Sequence, residues 1–365
     1  MTRTEEIAIK EQRLRDLLAE RGVDALLISR QDNFAWLTGG GDNHVVIAGD
    51  LGSASILITR DAKYLVCDNI EAGRVMEEEL AELGYQATVF PWHDRRVAEA
   101  VRDFGPGDLA ADAPTADAET TQVDLASLRY SLLPSEVERY RWVGERCGRA
   151  MAAAAQAIKP GMTEHQIAGA LAEELFEVGI VPTVLLVAAD ERAFKYRHPI
   201  PTEAKLDRHA MLVACGRRWG LIVSLTRMIH FGDPPAELRR KHDAVVQVDA
   251  TFITHTRPGA RAGEIFQRAV ECYRETGFGD EWHHHHQGGA TGYAGRDYKA
   301  TAGSDQIVQP AQAFAWNPSI TGTKSEDTII ALEAGTEIIS ASPGWPMVDV
   351  AVDGRTWPRP DILVR

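Results

Sequence analysis

Lys159-Pro160-Gly161-Met162-Thr163-Glu164-His165-Gln166-Ile167 returns, altered but in register, as Arg257-Pro258-Gly259-Ala260-Arg261-Ala262-Gly263-Glu264-Ile265. The offset is the same at the far end of the unit, where Gly179 and Gly277 close the two helical patterns. In each copy Pro-Gly makes a turn. Thr163, with Gln166 three positions on, reads as a capping box that starts a helix, and a glycine stops it. A match that keeps both ends and the interior isoleucine points to a duplicated helix-plus-sheet unit.

Working outward, Pro134-Ser-Glu-Val-Glu138 opens a long helical pattern, so the domain boundary is expected near residue 133, with domains at 1–133 and 134–365. Ahead of it, residues 5–21 carry Ile7, Leu14, Leu17 and Leu18 at helical spacing, and Asp24–Ser29 reads as a buried strand. Strand-like runs at 54–59, 64–67 and 87–90 alternate with helical stretches near 70–83 and 96–103, an α/β pattern that ends in the Pro/Asp/Thr-rich segment 111–121. A chain of 365 residues suits two such domains.

The balance of 39 Lys+Arg against 53 Asp+Glu gives a formal charge of −14, which argues against nucleic acid or an anionic membrane as partner. With 44% hydrophobic residues and no run of about 18 apolar ones, the composition is that of a globular protein without a spanning helix. Cys67, Cys147, Cys215 and Cys272 form no CxxC pair, so neither a zinc knuckle nor a disulfide framework is indicated, and a cytoplasmic location is expected.

Six motifs then fall in one order. Gly22-Val-Asp-Ala-Leu-Leu-Ile-Ser29 with Asn33-Phe-Ala-Trp-Leu-Thr-Gly39 is followed by Pro160-Gly-Met-Thr-Glu164, Arg197-His198-Pro199, Ser224-Leu-Thr-Arg227, Arg257-Pro-Gly259 and Lys324-Ser-Glu-Asp327. Over nearly its whole length the chain resembles the pita-bread family of creatinase, prolidase, aminopeptidase P and methionine aminopeptidase. The resemblance implies an α/β creatinase/prolidase-type N-terminal domain followed by an α+β pita-bread domain with an internal pseudo-twofold repeat. It also implies, for the family's peptidases, two metal ions held by two Asp, one His and two Glu. Carried over position by position, these fall on Val213, Ser224, Gly289, Asn317 and Glu326, of which only Glu326 can serve as such. Four lost ligands cannot offset a dinuclear charge of about +4, so no metal and no cofactor are expected.

Creatinase, within the same family, implies a metal-free alternative in which a His carries the proton. His198 is placed at that position, with an imidazole whose ordinary pKa suits proton exchange at neutral pH. Glu326 and His285 are the other expected catalytic residues, with Lys324 as the partner of Glu326. Arg197, Arg227, Arg296, Tyr293, Asn317 and His283 are expected to bind substrate. His44, in the loop Gly39-Gly-Gly-Asp-Asn-His44, is expected to reach the neighbouring active site of a homodimer. If His283–His286 is a strand, side chains alternate, and at most two of the four rings converge. The resulting expectation is a metal-independent, creatinase-like hydrolase of a small carboxylate-bearing nitrogen compound of guanidino, amidino or cyclic amidine type. Its rivals are an Xaa-Pro metallopeptidase with a degenerate metal site and a non-catalytic binding protein on the same fold.

Overall fold

The structure, a computed structural model, describes residues 1–94, 97–104, 107–115 and 119–365. It forms two compact units, Met1–Arg129 with Leu133–Glu136, and Tyr130–Leu132 with Val137–Arg365. Part of the expected 111–121 segment, and the first residue of the helix expected over 96–103, lie outside the described residues.

In the first unit a helix over Arg3–Arg21 starts at Thr2, whose hydroxyl accepts from the Glu5 amide while the Glu5 carboxylate accepts from the Thr2 amide. It ends at Gly22, in the left-handed region at φ 67°. Six strands follow: β1 (Ala25–Arg30), β2 (Leu51–Thr59), β3 (Lys63–Asp68), β4 (Gln86–Phe90), β5 (Leu109–Ala111) and β6 (Thr121–Gln122), in the order β4-β3-β2-β1-β5-β6. The β1–β2 and β2–β3 pairs are antiparallel, whereas β3–β4, β1–β5 and β5–β6 are parallel. Leu27, Leu57, Val66 and Phe90 pack on one face of this mixed sheet. The helix expected near 70–83 is shorter, a turn at Ala72–Arg74 running into a π-type turn at Val75–Glu79.

The second unit shows the duplication. Helices over Glu164–Glu177 and Ala262–Glu275 follow the two Pro-Gly turns, and Gly179 and Gly277 end them at φ 68° and 85°. Thr163 caps the first through the capping box, whereas Arg261 makes no side-chain cap at the second. The first copy contributes the antiparallel strands β7 (Val181–Ala189), β8 (His209–Arg218) and β9 (Leu221–His230). The second contributes β10 (Gly288–Thr291), β11 (Tyr298–Lys299), β12 (Gln312–Trp316), and, beyond the short β13 (Ser319–Ile320) and β14 (Thr323–Lys324), β15 (Asp327–Leu332) and β16 (Gly335–Ile338). Their order is β11-β10-β12-β15-β16. Helices over Pro134–Ala157 and Ala236–His255 complete the α+β arrangement. Phe252, Trp316 and Phe314 stack in its core, with ring centroids 4.3 and 5.5 Å apart. Among the described residues no helix is long and apolar enough to cross a membrane.

Candidate active site

Glu326 lies just before β15 and pairs with Thr226 of β9 as an isolated antiparallel bridge. This joins the two copies of the repeat at the residue around which the polar side chains gather. Glu326 is 2% exposed. Its Oε2 accepts from Lys324 Nζ at 2.8 Å and from Thr226 Oγ1 at 2.7 Å, and its Oε1 accepts from Arg296 Nη2 at 3.2 Å. Burial by itself raises its pKa. Lys324, Arg296 and the hydrogen bonds outweigh that and hold the carboxyl below its ordinary value. A carboxylate so engaged on both oxygens is a poor base; it fixes two cations.

Three imidazoles face the same place. His285 Nε2 and His198 Nε2 are 3.0 Å apart, and the rings of His285 and His286 have centroids 4.4 Å apart. One nitrogen from each of His198, His285 and His286 lies within 4.8 Å of the others. The strand reading of 283–286 is therefore corrected. Glu281–His284 is a 3-10 turn and β10 begins only at Gly288, so strand alternation does not govern the run and two consecutive histidines point inward. Gly277-Phe-Gly-Asp280, a cluster of turn formers just upstream, was the signal for this. All three imidazoles are held neutral at physiological pH. Burial, with Lys324 next, lowers the pKa of His198; burial and the cations Lys324 and Arg197 bring His285 down to about 2; burial and Arg296 bring His286 to about 4.

The positions that the resemblance assigns to metal ligands hold no donor set for a dinuclear centre. Val213 packs in an apolar cluster with Met211, Met228 and Leu238. Ser224 is fully buried, with its Oγ 3.2 Å from Cys215 Sγ. At Gly289 even a Cβ would meet Tyr298 O at 2.2 Å. Accordingly, Gly289→Ala is expected to destabilise the fold by about 1–3 kcal/mol, seen as a lower denaturant midpoint; an unchanged midpoint would show that β10 and β11 separate freely.

The histidine trio does not fit a metal either. Ligating imidazoles donate their second N–H to an acceptor. Instead, His286 Nδ1 faces the Gly288 N–H at 3.3 Å, and His285 Nδ1 is buried without a partner. Lys324, Lys299, Arg296 and Arg197 all act on these rings with positive charge, which opposes a divalent cation.

Other expected site residues fare differently. Arg227, expected at substrate, is 1% exposed and fully engaged, donating to Asp327 Oδ1 at 2.8 Å, Ser340 O at 3.0 Å, Ser342 Oγ at 3.0 Å and Thr226 O at 2.8 Å. It holds the fold beneath the site. His283 is exposed and stacks on Trp282 at 3.7 Å, outside the cluster. The Arg197 charge is answered by Glu281 at 2.6 Å, although Arg197 shares a recess with His285 and Lys324. Tyr293 is buried, 3.5 Å from Arg139 Nη2. His44 belongs to the first unit, where its ring pairs with Asp42. Asn317 is 2% exposed and its Oδ1 is without a partner.

The depressed imidazoles make a stability prediction. Below pH 6.5 the unfolded chain takes up protons that folded His285 and His286 refuse, so their contribution is complete above pH 6.5 and is lost as pH falls toward about 4 and below. His285→Gln is expected to lose less denaturant midpoint between pH 7 and pH 4.5 than the parent chain. Equal losses would show that His285 is not held neutral by its surroundings.

The profile of the metallopeptidase family M24 matches residues 138–338, and that of the creatinase/prolidase N-terminal domain matches residues 11–137. The uncharacterized peptidase YqhT of Bacillus subtilis (strain 168) is 23% identical over 358 residues, covering 92% of this chain and 98% of its own. A probable dipeptidase PepE of Mycobacterium bovis is 23% identical over 318 residues, covering 80% and 84%. The solved Xaa-Pro dipeptidase from Bacillus anthracis superimposes with a TM-score of 0.79 at 18% identity, over 98% of this chain and all of its own (100%).

Proposed function

Because the chain belongs to metallopeptidase family M24, with a creatinase-type N-terminal domain ahead of the pita-bread domain, we propose that it is a metal-independent hydrolase that cleaves a C–N bond in a small carboxylate-bearing nitrogen compound. The observation that carries this reading is the 3.0 Å contact of His198 and His285 beside a carboxylate clamped by Lys324 and Arg296. Neutral imidazoles can accept a proton, and fixed cations supply the positive charge that metal ions supply elsewhere in the family.

In the reaction, His198 takes a proton from water as its oxygen bonds to the substrate carbon. The negative charge that develops there is stabilised by Lys324. The C–N bond then breaks and His198 returns the proton to the departing nitrogen, while His285 orients His198. Glu326 holds the two cations in place, and Arg296 also serves the substrate carboxylate.

We place the protein in the cytoplasm as a homodimer without nucleic-acid or membrane partners. The first unit supports the dimer, for Val45, Val46 and Ile47, directly after the 39–44 loop, are 62%, 64% and 46% exposed. Light scattering should give twice the chain mass of 40.1 kDa; the chain mass itself would remove the dimer. The functional test is release of amine or ammonia from a panel of carboxylated ureido, amido, guanidino and cyclic amidine compounds, with Xaa-Pro dipeptides alongside, in the presence of chelator. Turnover of a panel member that chelator leaves intact is expected. Xaa-Pro cleavage that chelator abolishes and Mn²⁺ restores would overturn the proposal.

A further inference from the structure

Resting on the hydrolase reading, we infer that the group cleaved is electrically neutral, a ureido or amide nitrogen on a carboxylate-bearing compound, and that Asn317 selects it. The guanidino and amidino substrates expected from the sequence are thereby set aside. Asn317 follows β12, its backbone N–H donates to Gln287 O at 3.1 Å, and Ser325 N donates to Pro318 O at 3.1 Å. The residue is thus fixed between the His285–His286 segment and Glu326. Its buried Oδ1 has no hydrogen-bond partner, and neither has the buried Nε of Arg296. Arg296 bonds Glu326, and Asn317 follows Trp316, which pairs with Asp327 across the sheet, so both unpartnered groups adjoin Glu326 and together call for a ligand that offers an N–H and an acceptor oxygen.

Charge decides which kind of N–H. Glu326 has both oxygens engaged by Thr226, Lys324 and Arg296. Glu281 is taken by Arg197 and Thr321, and Asp327 by Arg227, Arg359 and Ser340. A guanidinium or amidinium arriving at Asn317 would be a further cation, and none of these three carboxylates is left to receive it. A ureido or amide N–H donates to Asn317 Oδ1 without bringing charge, while the carboxylate of the same molecule takes Arg296 Nε.

N-carbamoylglycine and guanidinoacetate test this directly, because they share a shape and differ in a neutral C=O against a cationic C=NH2 group. Calorimetry on the full chain in chelator is expected to show N-carbamoylglycine binding at least about tenfold more tightly. Asn317→Asp should reverse the order, and Asn317→Ala, which serves if the aspartate variant does not fold, should bring the ratio near one. Tighter binding of guanidinoacetate to the parent chain, or a ratio unchanged in the variants, would overturn the inference alone. Binding of neither acid would overturn it together with the carboxylate reading on which it rests.

Discussion

His198→Ala should lower kcat by about 10² to 10⁴-fold and leave KM close to its starting value. His198 is more than one-third exposed and bonded through Nε2 to His285, so it reaches solvent and substrate while its ring is held from behind. Removing it takes away the proton carrier and little of the packing. Arg296→Ala should act mainly on KM, since a carboxylate anchor holds ground and transition states alike. A fall in kcat as large as that of His198→Ala would mean that its cation acts chiefly on the developing charge. Should His198→Ala retain more than about a tenth of the rate, proton transfer through this ring is wrong. Restoration of part of the lost rate by added imidazole would strengthen the assignment.

Arg227→Met should destabilise the second unit by about 3–5 kcal/mol. The guanidinium and its partner Asp327 are 1% and 2% exposed, and Asp327 is also bonded to Arg359, which is shared with Asp249. Deleting one cation leaves this buried network with an uncompensated carboxylate, and four carbonyl or hydroxyl acceptors (Thr226 O, Glu326 O, Ser340 O and Ser342 Oγ) lose their donor as well. The loss should appear in the denaturant midpoint. In the fraction that remains folded, affinity for N-carbamoylglycine should be retained. A selective loss of that affinity with unchanged stability would return Arg227 to the substrate.

The repeat made the second unit legible because a Pro-Gly turn, a cap and a closing glycine are local signals that packing did not override: the helices over Glu164–Glu177 and Ala262–Glu275 stand where the pattern put them. Glu326 and its partner Lys324 were legible through motif order. Arg227 was not, since sequence cannot say whether a guanidinium meets a ligand or a buried carboxylate a hundred residues away. The His283–His286 run misled for a local reason: a 3-10 turn ends inside it, and one residue of irregular backbone brings His285 and His286 to the same side. The role of Asn317 rests on an unsatisfied oxygen, a property of the folded surroundings that no spacing encodes.

The central claim is that fixed cations have replaced the dinuclear centre of the family. Elemental analysis of tag-free protein, equilibrated with Mn²⁺, Co²⁺ and Zn²⁺ and then desalted, tests it most directly. The side chains at Val213, Ser224, Gly289 and Asn317, with Lys324 and Arg296 on Glu326, predict less than about a tenth of an equivalent of any of the three per chain. Two equivalents held through desalting, with Xaa-Pro cleavage that depends on them, would contradict the account.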